Sequence, residues 1–149
     1  RRQLQIEFIK LSKQMKKTTV FITHDLDEAV KVGHRIGIMR DGKVIQVGTP
    51  EQIVIKPADE YVADFVKGIS RLKVVEAKTI MKSIDEFKNN YGPLPSNAIR
   101  MRENEVLSSL IEKSVSKDSP IIITNSDGKD IGAISQKDLL ISVVEGQDE

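Results

Sequence analysis

Leu4, Phe8, Leu11 and Met15 recur at intervals of four, three and four, a spacing that gathers them on one face of a helix. Lys10, Lys13, Lys16 and Lys17 fall mostly elsewhere and stay in water. The next segment, Thr18-Thr19-Val20-Phe21-Ile22-Thr23, drops the helical period for a β-branched and aromatic run without polar alternation. That pattern predicts a strand covered on both faces of a parallel sheet, with His24 at its carboxyl end. Asp25 and Glu28 have the spacing of a capping box and predict a short helix through Ala29 to Val32. From Arg35 to Gly48 the order is strand, Asp41-Gly42, strand, because that dipeptide supplies the positive φ angles of a two-residue hairpin. Thr49-Pro50-Glu51-Gln52 opens a second capped helix, which Pro57 ends. A further helix is expected to bury Tyr61, Val62, Phe65, Val66 and Ile69.

The pattern changes near Gly68 to Leu72, where a charged stretch from Arg71 to Lys78 begins. Ile80, Ile84 and Phe87 mark one helix, and the run from Asn89 to Asn97 is rich enough in turn formers to read as a loop. A strand at Ile99 to Met101 follows, then a helix over Glu105 to Val115 with Val106, Leu107, Leu110 and Ile111 inward, and a buried strand at Pro120 to Thr124. Asn125-Ser126-Asp127-Gly128 is a turn, Ile131 to Ser135 its hairpin partner, and Gln136 to Val144 a closing helix. The expected organisation is therefore residues 1–70, a connecting helix and loop over 71–98, and a small unit over 99–149.

Composition narrows the classes of function. The 149 residues hold 39% apolar side chains, enough for a packed core, and 23 basic against 22 acidic residues. That balance gives no general pull toward nucleic acid or anionic lipid, so no nucleic-acid partner is expected. The absence of cysteine excludes disulfides, thiolate metal sites and a cysteine nucleophile, and suits a reducing compartment. No apolar run approaches the ~20 residues of a membrane helix. Arg1 stands where a helix is already under way without a cap, which suggests a piece of a longer protein.

Ligands of open α/β sheets gather outside the carboxyl ends of the strands, which makes His24 the first candidate for a phosphate contact. A lone histidine there is more often structural, so its neighbours decide the matter. Asp25, Asp27 and Glu28 form a carboxylate cluster that capping explains better than metal binding, and no residue is assigned to a metal. His34 lies in a connection without a partner signal.

The segment Val20-Phe21-Ile22-Thr23-His24-Asp25-Leu26-Asp27-Glu28-Ala29 resembles the switch-histidine region of ABC transporter ATPases. Arg35-Ile36-Gly37-Ile38-Met39-Arg40-Asp41-Gly42-Lys43-Val44-Ile45-Gln46-Val47-Gly48-Thr49-Pro50-Glu51 is similar to the hairpin and helix that close the same domain. The resemblance implies that His24 hydrogen-bonds the γ-phosphate of ATP and the attacking water, tasks that suit the donor and acceptor of a neutral imidazole. The family's phosphate-binding glycine loop with its lysine, its signature segment and its Mg²⁺-holding acidic strand are absent from these 149 residues. Phosphoryl transfer needs the phosphates cradled and their charge neutralised, so the chain by itself is expected to hydrolyse no ATP.

Gly132-Ala133-Ile134-Ser135-Gln136-Lys137-Asp138 looks like the end of a CBS domain. That likeness implies that Ser135 and Asp138 contact the phosphate and ribose of an adenine nucleotide, although the same two residue types also make an ordinary helix cap. One copy of the motif is evident where CBS motifs usually pair. The order of an ABC ATPase domain and a CBS module, with the connector Lys56-Pro57-Ala58-Asp59-Glu60-Tyr61-Val62-Ala63-Asp64-Phe65-Val66, resembles the ATP-binding subunit of glycine betaine and proline betaine importers. The fold class so implied is α/β: the carboxyl-terminal part of an ABC-type P-loop ATPase domain, then a small α+β CBS-like domain. The implied cofactors are ATP and Mg²⁺ in the complete subunit. The implied partners are membrane-spanning permease subunits, a second ATPase subunit and, indirectly, a substrate-binding protein, at the cytoplasmic face of the plasma membrane. The alternatives are a stand-alone CBS-type module that binds an adenine nucleotide and a structural partner that docks on membrane subunits.

Overall fold

A computed structural model of the chain describes residues 17–144 together with Glu7 and Leu11. The helix expected over Leu4 to Met15 lies, apart from Glu7 and Leu11, outside the described residues. The chain divides into two compact units, residues 1–69 and residues 70–149.

In the first unit the described elements are helix α1 (Leu26–Val32), strands β1 (Ile36–Arg40) and β2 (Lys43–Gly48), and helices α2 (Pro50–Ile55) and α3 (Glu60–Val66). The hairpin forms as its turn residues dictate: Asp41 and Gly42 have φ of 51° and 73°, and β1 pairs antiparallel with β2 from Ile36 opposite Gly48 to Arg40 opposite Lys43. The register slips between Ile38, opposite Gln46, and Met39, opposite Val44, so Ile45 is the extra residue of a bulge. Ile36 and Ile38 on one face of the hairpin pack with Ile53 of α2 and Val62 and Val66 of α3. The Gln46 amide holds the turn into α3, donating to the Lys56 carbonyl at 2.9 Å and accepting from the Ala58 N–H at 2.8 Å.

Helix α2 begins with the reciprocal cap its sequence predicts. Thr49 Oγ1 accepts from the Gln52 N–H at 3.2 Å, and Gln52 Oε1 accepts from the Thr49 N–H at 3.0 Å. Thr49→Ala should lower the stability of this unit by about 1 kcal/mol, and Thr49→Ser should restore most of it. Urea midpoints of the three chains check this, and equal midpoints would show that the cap contributes nothing.

Two expectations for this unit are corrected. Thr18 to Thr23 is neither strand nor helix, and among the described residues it pairs with no strand. Val20 and Ile22 are 86% and 91% exposed. A strand without polar alternation needs hydrogen-bonded neighbours and a layer on each face, and β1 and β2 pair only with each other. Phe65 is also exposed, because the inward stripe of α3 runs through Val62 and Val66 and leaves Phe65 stacked beside Tyr61, with ring centroids 6.2 Å apart.

The second unit contains a four-stranded sheet in the order β3-β6-β5-β4: β3 (Lys82–Ser83), β6 (Asp130–Ile134), β5 (Ile121–Thr124) and β4 (Ile99–Arg102). Its helices are α4 (Ala77–Ile80), α5 (Ile84–Tyr91), α6 (Leu107–Ser114) and α7 (Gln136–Val144). β4 and β5 run parallel and are joined through α6, whereas β6 is antiparallel to both β5 and β3. The succession β4, α6, β5, β6, α7 is the strand-helix-strand-strand-helix order expected for a CBS-like α+β domain. All four residues of β5 are buried, and Ile121, Ile122 and Ile123 are 2%, 2% and 0% exposed, which is why that strand shows no alternation.

Residues 71–98 are part of this unit and not a connector. Val74, Val75, Ala77 and Phe87 are buried, the Ala77 N–H donates to the Glu105 carbonyl at 2.7 Å, and the Leu107 N–H donates to the Val75 carbonyl at 3.0 Å. The single helix expected around Ile80, Ile84 and Phe87 is split by β3. Ser83 starts α5 by accepting from the Glu86 N–H at 3.3 Å, and the preceding residues dock on β6 at Gly132. A Cβ on Gly132 would lie 2.6 Å from the Lys82 carbonyl oxygen, so only glycine permits that approach. Helix α5 runs through Asn89 and Asn90, where a loop was expected, and stops at Gly92 with φ of 87°.

Candidate functional site

His24 is exposed and precedes Asp25, the cap of α1. Its surroundings are organised by Thr23, whose Oγ1 accepts from the Asp25 N–H at 3.0 Å and donates to Glu28 Oε2 at 2.9 Å. The Asp25 carboxylate accepts from the Glu28 N–H at 3.2 Å. Asp25 thus caps α1 as its position in the sequence implies, whereas the Glu28 carboxylate takes the Thr23 hydroxyl. Among the described residues no group of three or more His, Cys, Asp or Glu is placed to hold a metal ion.

His24, Asp25, Leu26, Asp27, Phe65, Gly68 and Ile69 line an open depression of about 380 Å³. Among the described residues Asp25 and Asp27 line it and no Lys or Arg does, so these residues supply no neutralisation of a triphosphate. The residues present do not by themselves fit ATP or Mg²⁺. What the geometry supplies is one accessible imidazole on a capped turn, with its neighbours Thr23 and Asp25 tied to the helix start.

The other predicted pair is brought together in the second unit. Ser135 Oγ donates to Asp138 Oδ2 at 2.9 Å and accepts from the Asp138 N–H at 3.0 Å, so Ser135 caps α7. Two residues that sequence reasoning missed complete the cluster: the Tyr91 hydroxyl donates to Asp138 Oδ1 at 3.0 Å, and Lys82 Nζ lies 3.2 Å from the same oxygen. No sequence signal marks them, since they stand 47 and 56 positions before Asp138 and meet it only because β3 lies beside β6.

Burial pushes the Asp138 carboxyl up, but hydrogen bonds from Ser135, Lys82 and Tyr91 outweigh it and hold the group below its ordinary 3.8. The hydrogen bond to Asp138 raises Lys82 above 10.5, against the cost of desolvation. Nearby, Arg100 of β4 forks onto Asp130 of β6 with bonds of 3.1 and 3.0 Å, an exposed pair that links two strands of the sheet.

The chain is 32% identical over 143 residues to the trimethylamine N-oxide transport system ATP-binding protein TmoW of Pelagibacter ubique, covering 96% of this chain and 40% of that protein. It is 39% identical over 129 residues to the glycine betaine transport ATP-binding protein OpuAA of Bacillus subtilis, covering 87% of this chain and 30% of that one. These relatives are ATP-binding subunits of ABC transport systems for trimethylamine N-oxide and glycine betaine, and the chain is similar to a part of them. Over 81 residues the identity reaches 49% with the glycine betaine/carnitine transport ATP-binding protein GbuA of Listeria monocytogenes, covering 54% of this chain and 20% of that protein.

The chain therefore spans between a fifth and two fifths of the length of these ABC subunits. No protein-family model matches it. Among solved structures it is distantly similar to the CBS domain of a bacterial CNNM/CorC family Mg²⁺ transporter in complex with ATP, with 13% identity, a TM-score of 0.30, and coverage of 80% of this chain and 70% of that one. Among the described residues no helix is long and apolar enough to cross a membrane.

Proposed function

We propose that this chain serves within the ATP-binding subunit that powers ABC-type import of glycine betaine or a related quaternary-amine osmoprotectant. The observation that carries this reading is the similarity to such subunits over 96% of the chain, which takes in both the His24 segment and the hairpin that follows. In this reading two ATP-binding subunits close on ATP at the cytoplasmic face of the membrane, and closure drives permease subunits between inward and outward states. The work comes from ATP binding the closed state more tightly than the open one.

His24 is the residue of this chain assigned to the nucleotide, donating one imidazole N–H to a γ-phosphate oxygen while the other nitrogen accepts from water. Mg²⁺ and a cradle for the phosphates supply charge neutralisation in the complete subunit. Asp25 and Thr23 keep the turn that presents the ring.

The test is osmoprotectant-dependent ATP hydrolysis by the complete transporter in proteoliposomes. His24→Ala should abolish hydrolysis and uptake while ATP still binds, and the 149-residue chain alone should hydrolyse none. Full turnover by the His24→Ala transporter would remove His24 from the reaction. Turnover by the isolated chain, absent in its His24→Ala variant, would show that the phosphate cradle lies within these residues. The rival reading, a CBS-type module that takes an adenine nucleotide through Ser135 and Asp138, draws on the element order of the second unit.

A further inference from the structure

A nucleotide held through Ser135 and Asp138 needs free donors and acceptors there, and the second unit has already used most of them. A carboxylate offers about four lone-pair positions. At Asp138 one oxygen takes the Ser135 hydroxyl at 2.9 Å, and the other takes both the Tyr91 hydroxyl at 3.0 Å and the Lys82 ammonium at 3.2 Å. The Ser135 hydroxyl spends its one proton on Asp138 and accepts from the Asp138 N–H, and Ser135 is only 9% exposed. The side chains of Lys82 and Asp138 are 25% and 14% exposed, so the pair is largely shielded from water.

We infer that Lys82 and Tyr91 form an internal plug on Asp138, so that this unit takes no adenine nucleotide through Ser135 and Asp138 and anchors its last helix with its own side chains. The exchange chemistry decides against the ligand. A ribose hydroxyl entering here is neutral, and the bond it must displace joins an ammonium to a carboxylate, which is roughly twice as strong as a neutral hydrogen bond. Displacing Lys82 would also leave the shielded Asp138 charge without its counter-ion. The plug comes from β3 and the end of α5, the segment that precedes the strand-helix-strand-strand-helix core, so the same docking that completes the sheet closes the site.

The inference rests on the second unit's geometry and not on the transport reading. The experiment is AMP titration of the complete 149-residue chain, read from the amide resonances of Ser135 to Asp138. AMP lacks the γ-phosphate that His24 is assigned to contact. The unaltered chain should show no shift of these resonances at millimolar AMP, whereas Lys82→Met/Tyr91→Phe should show saturable shifts with at least tenfold tighter apparent binding. Tyr91→Phe alone, which keeps the ion pair, serves if the double variant does not fold, and should show a smaller gain. Saturable shifts in the unaltered chain would overturn the plug, and so would silence in every folded variant, since then Lys82 and Tyr91 block nothing.

Discussion

Ile123→Ala should cost the second unit about 3–4 kcal/mol, the middle of the range for truncating a fully buried aliphatic side chain. Ile123 is 0% exposed in β5, the strand flanked by β6 on one edge and β4 on the other, so neither a strand shift nor solvent can fill the space it vacates. A domain of this size holds on the order of 4–12 kcal/mol in total, which makes the loss a large share of it. Ile123→Val, which removes one methyl group, should cost about 1 kcal/mol. Urea unfolding followed by circular dichroism should show a lower midpoint with an unchanged slope. A cost below 1 kcal/mol for the alanine variant would mean that β5 is not the centre of this core.

Asp138→Ala should be the most damaging polar change, at about 2–3 kcal/mol, because it strands several donors at once. Lys82 and Tyr91 lose their acceptor, and Ser135 loses the partner of its hydroxyl while still capping α7 through the backbone. Asp138→Asn keeps the shape and some of the bonds but not the charge, so it should fall between the parent and the alanine variant. The pH dependence follows from the signs. Asp138 is held below 3.8 in the folded chain, so its contribution is fully present above that value and is lost as pH falls through the depressed one. Lys82 is raised above 10.5, so its contribution is present below that value and disappears as pH rises through the raised one. Unfolding midpoints measured from acid to alkaline pH should therefore hold a plateau between these limits. The Asp138→Ala chain should lose the part of the acid decline that Asp138 contributes, and an unaltered acid limb in that variant would show that the carboxylate is not what the pair depends on.

These expectations bear on how the two candidate sites differ. The surroundings of His24 are local: Thr23, Asp25 and Glu28 lie within five positions of one another, and the Asp25 cap follows from helix-start chemistry that spacing alone exposes. Those of Ser135 are only half local. The cap to Asp138 is visible as two residues three apart, but whether that carboxylate faces a ligand or a neighbour depends on what β3 and α5 bring to it. The residue types that make a nucleotide contact and those that make a cap are the same, so the sequence leaves both readings standing until Lys82 and Tyr91 are in place.

What the sequence determined by itself was everything set by contacts a few residues apart. Asp41-Gly42 dictated the hairpin turn, Thr49 to Gln52 the cap of α2, and the unbroken Ile121-Ile122-Ile123 a strand buried on both faces. Only tertiary structure decided the rest. The run from Thr18 to Thr23 has the composition of a buried strand, yet it is exposed here because strand pairing is a property of neighbours and none among the described residues pairs with it. The stretch 71–98 reads as a connecting helix and loop, yet it supplies an edge strand, five core side chains and the plug on Asp138. Its apolar residues are too sparse to announce a core, and they become one because Gly132 leaves room for the Lys82 backbone at the edge of β6.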